Sequence, residues 1–317
     1  MLAVILRLDM IHQMNENMKL SDIAEKLPLV VQREGEFSSL GKLSQDKPQQ
    51  LVYISSKKYL NWLKKKTNVS CVITTGVLGS QIPSEMGLGT SDNPERTFFE
   101  FHNHLATTNF YHDSFKTKIS NDAKIHPTVF VAEKNVIIGQ GSIIGPQASI
   151  LENTIIKDNV FIGPGTTVGL EGTETKRFDN LVLPITHTGG VIINNNAEIK
   201  SNCCIGKGLF GDFTEIGEYT KIDSLSTISH NSVIGNRCHI SSLVSVNGSA
   251  KIGDDVFIGP SASISNQVSI GNGAIVSIGA VVVSDVKNGQ KVTGNFAVDH
   301  SRFIAHYYEI QKKYRKL

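Results

Sequence analysis

The chain has 317 residues, of which 40% are hydrophobic and 19% are charged. This composition excludes a disordered chain, because disorder requires low hydrophobicity together with a high net charge. Basic residues number 31 and acidic residues 29, so the net charge of +2 does not favour a nucleic-acid partner. Four cysteines without a regular spacing argue against a disulfide-stapled fold and indicate a reducing compartment.

The first ten residues read MLAVILRLDM, and their short apolar run has no basic leader before it. These features do not match a secretory signal peptide. No stretch approaches the roughly 20 apolar residues that a membrane-spanning helix needs. We therefore expect a soluble, cytoplasmic protein.

Residues 1–115 precede any repeat and are predicted to form a separate mixed α/β domain. The predicted elements in chain order are a helix over 21–27, strands over 50–55 and 70–75, and a helix over 95–106. Pro94 stands just before the second helix, a place where its fixed φ and missing N–H are tolerated.

A branched aliphatic residue recurs at every sixth position over most of the remaining chain. The longest unbroken series is Ile216, Ile222, Ile228, Ile234, Ile240, Val246, Ile252, Ile258, Ile264, Ile270, Val276 and Val282. Shorter series with the same period run over 119–131, 138–168 and 193–205. A period of six matches neither an α-helix nor a lone strand, whose side chains repeat every 3.6 and 2 residues.

The six-residue period predicts a coil with three flat faces, each made of a short strand and a turn. The aliphatic side chain points inward, and a glycine often follows it, as at Gly217 and Gly235, where the chain is expected to bend. This pattern is typical of the left-handed parallel β-helix built from hexapeptide repeats. At three repeats per turn, residues 116–296 make about eight turns.

The repeat is interrupted once, over residues 169–190, and we interpret this segment as an insertion loop. Such loops often contribute to the binding face of a solenoid. Residues 297–317 are predicted to form a basic C-terminal helix. Its basic residues are Arg302, Lys312, Lys313, Arg315 and Lys316, against the single acidic residue Glu309.

Histidines are the main candidates for catalysis. His230 lies two residues after the inward Ile228, so its side chain is expected to project outward near a corner, where a histidine can act as a general base. Position alone equally allows a surface histidine, and His187 in the insertion is equally an ordinary loop histidine. His239 is half a turn from His230 and no C-x-x-C pair occurs, so no zinc site is expected.

Two tyrosines in the N-terminal region, Tyr53 and Tyr59, bracket the basic pair Lys57 and Lys58. Aromatic rings stack on a nucleobase, and lysines neutralise phosphates. Aromatic residues in a strand are also common core residues, so the pattern by itself leaves both roles open.

The domain order and several local segments together resemble the UDP-3-O-acylglucosamine N-acyltransferase family of the lipid A pathway. Residues 51–59, LVYISSKKY, resemble the family's aromatic-x5-Tyr segment, and residues 184–191, PITHTGGV, resemble the loop that returns to the coil near the active site. The nearest match is KID at 221–223 followed by ISHNSVIG at 228–235. NGS at 247–249 matches the segment that carries an oxyanion-binding glycine.

This resemblance implies a homotrimer with sites between subunits, which moves a (3-hydroxy)acyl group from acyl carrier protein to the amino group of a UDP-linked amino sugar. It puts His230 on the catalytic histidine and Gly248 on the glycine whose N–H helps hold the thioester oxygen. Asp223 is expected to orient His230. Tyr53 and Tyr59 are expected to stack the uracil in a uridine-binding domain.

The resemblance also implies no metal and no cofactor other than the thioester of acyl carrier protein or coenzyme A, which is a co-substrate. Lys57, Lys58 and His187 are expected to contact the nucleotide-linked amino sugar. The basic C-terminal helix is expected to dock the acidic carrier protein, since opposite charges speed encounter.

Three residues depart from the family pattern. Gly206 stands where the family usually has aspartate, Thr227 where it commonly has glutamine, and Gln267 where it has a second active-site histidine. Thr227 and Gln267 are kept as candidate substrate-binding residues. The departures leave open a paralogue that uses acyl-CoA to N-acylate another UDP- or dTDP-linked amino sugar for surface polysaccharide, and a non-catalytic trimeric scaffold or nucleotide-sugar sensor.

Overall fold

The fold is given by a computed structural model that describes residues 17–294 and 296–314, with only the backbone of Tyr314. The first sixteen residues, Asn295 and residues 315–317 lie outside the described residues. The structure therefore does not describe the predicted start of the N-terminal domain or the basic residues Arg315 and Lys316.

The N-terminal region contains a mixed sheet with short helices around it. Its strands are β1 (Met18–Lys19), β2 (Val30–Arg33), β3 (Glu36–Phe37), β4 (Ser39–Leu40), β5 (Gln50–Ile54), β6 (Val69–Thr74) and β7 (Gly87–Thr90). Its helices are α1 (Leu20–Ala24), α2 (Leu60–Leu63), α3 (Gly76–Gly79) and α4 (Pro94–Leu105), and a 3₁₀ turn over Lys57–Tyr59 precedes α2. The main sheet has the order β2-β7-β6-β5-β4, in which only β2 runs antiparallel to its neighbour. The helices and strands predicted at these places are confirmed, although α1 is shorter than expected.

Helix α4 carries the aromatic face that holds the N-terminal sheet. Its N-cap is Asn93, whose side chain accepts a backbone hydrogen bond from the first turn, and Pro94 occupies the first helical position. Phe98, Phe99 and Phe101 are fully buried against the sheet. Burying each of these rings stabilises the fold by about 1.5–3 kcal/mol.

The hydrophobic core around α4 continues into the rest of the chain. Ile185, Leu209 and Phe210, which lie in the insertion and in the coil beyond it, belong to the same cluster of buried side chains. The N-terminal region and the coil are therefore packed together rather than joined only by a linker.

The remaining chain winds into a parallel solenoid. Its strands in chain order are β8 (Lys118–Ile119), β9 (Lys124–Ile125), β10 (Phe130–Val131), β11 (Val136–Ile138), β12 (Ile143–Ile144), β13 (Ser149–Ile150), β14 (Thr154–Ile156), β15 (Phe161–Ile162), β16 (Thr167–Leu170), the insertion strands β17 (Thr175–Phe178) and β18 (Leu181–Pro184), then β19 (Gly190–Ile193), β20 (Glu198–Ile199), β21 (Cys204–Gly206), β22 (Phe213–Ile216), β23 (Lys221–Ile222), β24 (Thr227–Ile228), β25 (Val233–Ile234), β26 (His239–Ile240), β27 (Ser245–Val246), β28 (Lys251–Ile252), β29 (Phe257–Ile258), β30 (Ser263–Ile264), β31 (Ser269–Ile270), β32 (Ile275–Val276), β33 (Val281–Val282) and β34 (Lys291–Val292). Helix α5 (His300–Tyr314) follows.

Every third solenoid strand joins the same parallel sheet, which confirms the predicted left-handed β-helix with three faces. Within the described ranges the three sheets contain eight, eight and nine strands. Equivalent residues lie 18 positions apart, as in the pairing of Ile216 with Ile234 and of Ile234 with Ile252. The inward aliphatic side chains of this series are buried in one continuous core.

A second inward column, two residues before each aliphatic one, was not recognised in the sequence. Its members are small or short, and they include Thr214, Thr220, Ser226, Ser232, Cys238, Val244, Ala250, Val256 and Ala262, all buried. The hydroxyls of Thr220, Ser226 and Ser232 donate to backbone carbonyls, as Thr220 does to Gly235 at 2.7 Å, whereas the hydroxyl of Thr214 has no partner within the described residues. Small side chains are needed because the interior of the coil is narrow and close-packed.

The prediction that the chain bends at the glycine after each inward residue is wrong. The left-handed backbone conformation instead falls on the residue directly before each buried small residue. Examples are Tyr219, Leu225 and Asn231, each with φ near +60°. The glycines mark close approach of successive coils instead. A Cβ on Gly235 would lie 2.5 Å from the carbonyl carbon of Gly253.

The insertion between β16 and β19 contains the antiparallel hairpin of β17 and β18, in which Thr175 pairs with Pro184. Helix α5 exposes aromatic side chains, among them Phe303, Tyr307 and Tyr308, as well as its basic residues. No helix in the described ranges is both long and apolar enough to cross a membrane.

Candidate functional site

His230 occupies a corner of the coil, two residues after the buried Ile228 that ends β24. Its imidazole lies over the backbone of Gly248 in the next coil. A Cβ at Gly248 would lie 2.6 Å from Cε1 of His230 and would also collide with Nε2. Within the described residues the Gly248 N–H has no hydrogen-bond acceptor. A histidine and a free backbone donor therefore share one corner.

Asn231 orients the imidazole of His230. The Asn231 Oδ1 lies 3.1 Å from Nδ1 of His230 and accepts a second hydrogen bond from the N–H of Leu209 at 2.9 Å. Its Nδ2 donates to Asp212 Oδ2 at 3.3 Å, which fixes the amide orientation. Because Oδ1 only accepts, Nδ1 of His230 carries the proton and Nε2 keeps a lone pair.

Within the described chain Asp223 makes no contact with His230, so its expected orienting role stays a prediction. Asp223 is exposed after β23 on another face of the coil, and its carboxylate accepts a hydrogen bond from the N–H of Ser224 at 2.7 Å. A residue seven positions before His230 in an 18-residue turn is more than one face away. In this chain Nδ1 of His230 is paired with the neighbouring Asn231.

The insertion brings a carboxylate to His230. Glu174 Oε2 lies 4.0 Å from Nε2 of His230, on the side opposite Asn231. Two ammonium groups flank Glu174: the Nζ of Lys176 at 3.7 Å and the Nζ of Lys42 at 4.0 Å. Burial lowers the pKa of Lys42, whereas Glu174 opposes that shift.

His187 stands beside His230, with ring centroids 5.5 Å apart and ring planes at 72°. Only 1% of His187 is exposed, yet neither ring nitrogen has a hydrogen-bond partner in the described structure. Burial lowers the pKa of His187, and the neighbouring His230 lowers it further. His187 is therefore neutral near pH 7 and has one free donor and one free acceptor.

Ionic contacts connect the His230 corner to Tyr53 in the N-terminal sheet. Lys176 lies 3.7 Å from Glu95, and the Tyr53 hydroxyl donates to the same Glu95 oxygen at 3.0 Å. Burial, reinforced by Glu95, raises the pKa of Tyr53, so the hydroxyl stays protonated. The Tyr53 ring packs on Phe98 and Phe99 with centroids 5.2 and 5.8 Å away.

Tyr59 and the two lysines lie beyond the carboxyl end of β5, the strand that carries Tyr53. Tyr59 is half-buried, and Lys58 places its ammonium 4.8 Å from the centre of the Tyr59 ring. Lys57 is exposed. The carboxyl ends of parallel strands are where open α/β sheets bind ligands.

Gln267 and Thr227 lie near the same corner as His230 but do not contact it. The N–H of Gln267 donates to the Gly248 carbonyl at 3.0 Å, and Gln267 lines a cavity of about 600 Å³ together with Asn231 and Lys251. Thr227 is exposed on β24, and its hydroxyl donates to Ser245 at 3.3 Å.

The described residues contain no group of three or more histidine, cysteine, aspartate or glutamate side chains arranged to hold a metal ion. His239 lies on β26, in a different sheet from β24 next to His230, and stacks on Phe257.

The corner combines groups that can accept a proton and hold an anion. Nε2 of His230 has a free lone pair, the Gly248 N–H is a free donor, and the Glu174 carboxylate lies between the insertion and the coil. Sequence reasoning missed Asn231 and Glu174. Asn231 was detectable, because it follows His230 directly, whereas Glu174 required the position of the hairpin.

Comparison with known proteins agrees with the resemblance inferred from the motifs. Residues 135–170 match the model of the family described as bacterial transferase hexapeptide (six repeats). The UDP-3-O-acylglucosamine N-acyltransferase of Helicobacter pylori (strain ATCC 700392 / 26695) is 28% identical over 245 residues, which are 68% of this chain and 70% of that protein. UDP-3-O-acylglucosamine N-acyltransferase 2 of Legionella pneumophila (strain Paris) is 31% identical over 224 residues, 61% of this chain and 63% of that protein.

Among solved structures, the UDP-N-acetylglucosamine acyltransferase from Campylobacter jejuni is similar over 63% of this chain and 83% of its own, with a TM-score of 0.49 and 21% identity. The Helicobacter pylori and Legionella pneumophila proteins confirm the resemblance to UDP-3-O-acylglucosamine N-acyltransferases that the sequence motifs suggested.

Proposed function

We propose that this chain is an acyltransferase for a UDP-linked amino sugar, and that it moves a (3-hydroxy)acyl group from the thioester of acyl carrier protein to the sugar amine. The observation that carries the proposal is the His230 corner. There Nε2 faces Glu174, Nδ1 is held by Asn231, and the ring covers Gly248. The similarity to UDP-3-O-acylglucosamine N-acyltransferases supports this substrate class.

The reaction is a direct acyl transfer in which His230 moves the proton. The sugar amine attacks the thioester carbonyl, a C–N bond forms, and Nε2 of His230 takes a proton from the attacking nitrogen. Gly248 N–H stabilises the oxyanion, a contribution of about 3 kcal/mol in other enzymes. The C–S bond then breaks, and the thiolate takes the proton from the imidazolium to give the free thiol and the amide.

Glu174 is proposed to favour an amine over a hydroxyl as the acceptor. A carboxylate 4.0 Å from Nε2 attracts the partial positive charge on the attacking nitrogen and stabilises the imidazolium that follows. In the free protein Lys42 and Lys176 balance this charge.

Nucleotide recognition is assigned to the carboxyl end of β5. We propose that Tyr53 and Tyr59 stack the uracil and that Lys57 and Lys58 neutralise the diphosphate. His187 is proposed to contact the bound acceptor, because its two free nitrogens otherwise remain unsatisfied. Supporting this placement, Glu95 and Lys176 link Tyr53 to the His230 corner within one chain.

The proposed assembly is a homotrimer, and α5 is its proposed docking site for acyl carrier protein. The outer faces of the coil expose large apolar side chains, including Leu225 and Leu243, which a neighbouring copy would cover. Arg302, Lys312 and Lys313 on α5 offer a basic surface to an acidic carrier.

A thiol-release assay on the purified protein tests the proposal. Two donors, 3-hydroxyacyl carrier protein and a short acyl-CoA, are each combined with UDP-3-O-acylglucosamine and with a dTDP-linked amino sugar, and the amide product is identified by mass spectrometry. We expect turnover with acyl carrier protein and the UDP-linked sugar.

Turnover with acyl-CoA alone, on another amino sugar, would instead make Gly206, Thr227 and Gln267 the determinants of a different substrate. Absence of thiol release from every pair, with UDP-sugar binding retained, would replace the enzyme by a nucleotide-sugar sensor or scaffold.

A further inference from the structure

The segment that carries His187, residues 184–188, is attached to helix α4 by side-chain hydrogen bonds. Asn103 donates from Nδ2 to the carbonyl of Pro184 at 2.7 Å and accepts at Oδ1 from the N–H of Thr186 at 3.0 Å. These contacts join positions more than 80 residues apart in the chain. The insertion therefore returns to the coil along a fixed path.

The segment is also fixed on its coil side by the glycines that follow His187. The N–H of Gly189 donates to the carbonyl of Gly208 at 2.8 Å. A Cβ at Gly189 would collide with the carbonyl oxygen of Asp212. Only glycine permits this approach, so the segment lies between α4 and the coil.

His102 of α4 is fully buried, and both of its ring nitrogens have partners. Nε2 lies 2.8 Å from the carbonyl oxygen of Thr186, and Nδ1 lies 2.6 Å from the hydroxyl of Tyr111. Burial lowers the pKa of His102 to about 4, so the ring is neutral near pH 7. Because a carbonyl only accepts, the single N–H is on Nε2, and Nδ1 accepts from Tyr111.

His112 makes a similar contact on the other side of His187, although its Nδ1 has no partner within the described residues. Its Nε2 lies 2.6 Å from the carbonyl oxygen of Thr188, and burial lowers its pKa. The hydroxyl of Thr188 in turn accepts a hydrogen bond from the N–H of Gly211 at 3.1 Å. The carbonyls of Thr186 and Thr188, the residues on either side of His187, are thus each bonded to a neutral histidine.

His187 itself has no protein partner within the described residues, although it is almost completely buried beside His230. An unsatisfied buried polar group is unfavourable unless a ligand completes its hydrogen bonds. Two neighbouring histidines fix its backbone, while its own ring nitrogens stay free. This is the arrangement expected of a group that is kept in place for a substrate.

We propose that His102 and His112 are positioning residues, which hold His187 against the bound acceptor by fixing the carbonyls of Thr186 and Thr188. They act through His187 and do not contact the reacting atoms. The kinetic part of this inference rests on the proposed acyl transfer. Its chemical-modification part does not.

The kinetic test compares two substitutions at each position. His102→Leu and His112→Leu remove the donor, whereas His102→Gln and His112→Gln keep an N–H near the place of Nε2. We expect the leucine variants to lose about 10- to 100-fold in kcat with little change in the donor KM, because a misplaced group near the reacting centre costs that much. The glutamine variants regain most of that loss. His104→Gln, exposed on the same helix, is the matched control.

A double-mutant cycle separates positioning from general damage. In a His187→Ala background the leucine substitutions have no further effect on kcat if they act through His187. Equal losses of kcat with and without His187, or failure of glutamine to restore activity, would overturn the proposal.

Modification by diethyl pyrocarbonate tests the positioning without any turnover. Peptide mass spectrometry follows acylation of His187 at pH 7, and we expect its rate to rise about tenfold in the leucine variants, as loss of one buried hydrogen bond allows. An unchanged rate would contradict the inference. If the wild-type protein transfers no acyl group, the proposed function fails while this measurement still decides the role of His102 and His112.

Discussion

At the scale of single residues, the site depends on the proton on His230 and on the space above Gly248. Asn231 sits in the left-handed region, with φ +57°, a conformation that asparagine tolerates better than most residues. That conformation turns its amide toward Nδ1 of His230. One residue therefore makes the corner of the coil and sets the tautomer of the proposed base.

Gly248→Ala is predicted to lower kcat about 100-fold with little change in thermal stability. The new Cβ would displace the His230 imidazole, and a misplacement of about 1 Å near the chemistry costs roughly that factor. Steady-state kinetics of the variant measure it. Gly76→Ala, where nothing lies within 4 Å of the new Cβ, is the control. Wild-type kinetics for Gly248→Ala would contradict the placement of the reacting groups over this glycine.

At the scale of elements, helix α4 links the N-terminal sheet, where we propose that the nucleotide binds, to the insertion. Its aromatic face closes the N-terminal core, while His102 and Asn103 hold the segment that carries His187. The hairpin adds Lys176, which contacts Glu95 at the start of α4 and Glu174 beside His230. Helix α4 therefore contacts both the N-terminal sheet and the insertion.

Acid is predicted to weaken the attachment of α4 to the insertion. His102 has a pKa of about 4 in the fold, against about 6.5 when unfolded. Between these pH values His102 is protonated in the unfolded chain but neutral in the folded chain. The folded state therefore keeps its full stability above pH 6.5 and loses stability as the pH falls toward 4. Titration of His102 lowers the free energy of unfolding by at most about 3 kcal/mol.

Urea unfolding of the wild type and His102→Gln between pH 4 and 7 measures this loss. The pKa of His112 and His187 is also lowered by burial, so both contribute with the same sign in both proteins. As the pH falls, the free energy of unfolding of the wild type should therefore decrease more steeply than that of His102→Gln. The difference in slope should correspond to about one additional proton bound by the unfolded state. Parallel pH profiles for the two proteins would show that His102 does not titrate in this range.

The sequence predicted the elements with the strongest periodicity and missed those defined by contacts between distant segments. The six-residue spacing was sufficient for the coil, since inward aliphatic residues must stack at every turn. It did not reveal the second inward column, whose members range from serine to valine. Corner conformation was misassigned to glycine, because glycine is the usual residue at positive φ, whereas here that conformation falls on residues such as Tyr219 and Leu225 and the glycines allow close approach between coils.

The same division holds for the candidate site, where residues in patterned segments were predicted and residues brought in by distant segments were missed. His230 and His187 stand in segments with recognisable patterns, and the structure brings their rings together. Glu174 and His102 reach the site only through the hairpin and through α4, which lie 56 and 128 positions before His230 in the sequence. Such long-range contacts leave no local pattern in a single sequence.

At the scale of the whole molecule, the β-helix supplies rigid stacked corners and the N-terminal region brings an aromatic site close to one of them. The shared core of Phe210, Ile185 and the α4 phenylalanines keeps the two parts together. Tyr53 connects to the His230 corner through Glu95, Lys176 and Glu174. The fold thus connects the proposed nucleotide site to the proposed proton-transfer site through a chain of ionic contacts and hydrogen bonds.

The most direct test of the account is the rate of amide formation by a His230→Ala variant that keeps the wild-type oligomeric mass and melting temperature. With saturating acyl carrier protein thioester and UDP-linked amino sugar, we predict a fall in kcat of about 10²–10⁴, the usual contribution of a general base. A folded His230→Ala protein that forms the amide at the wild-type rate would contradict the assignment of His230 as the base.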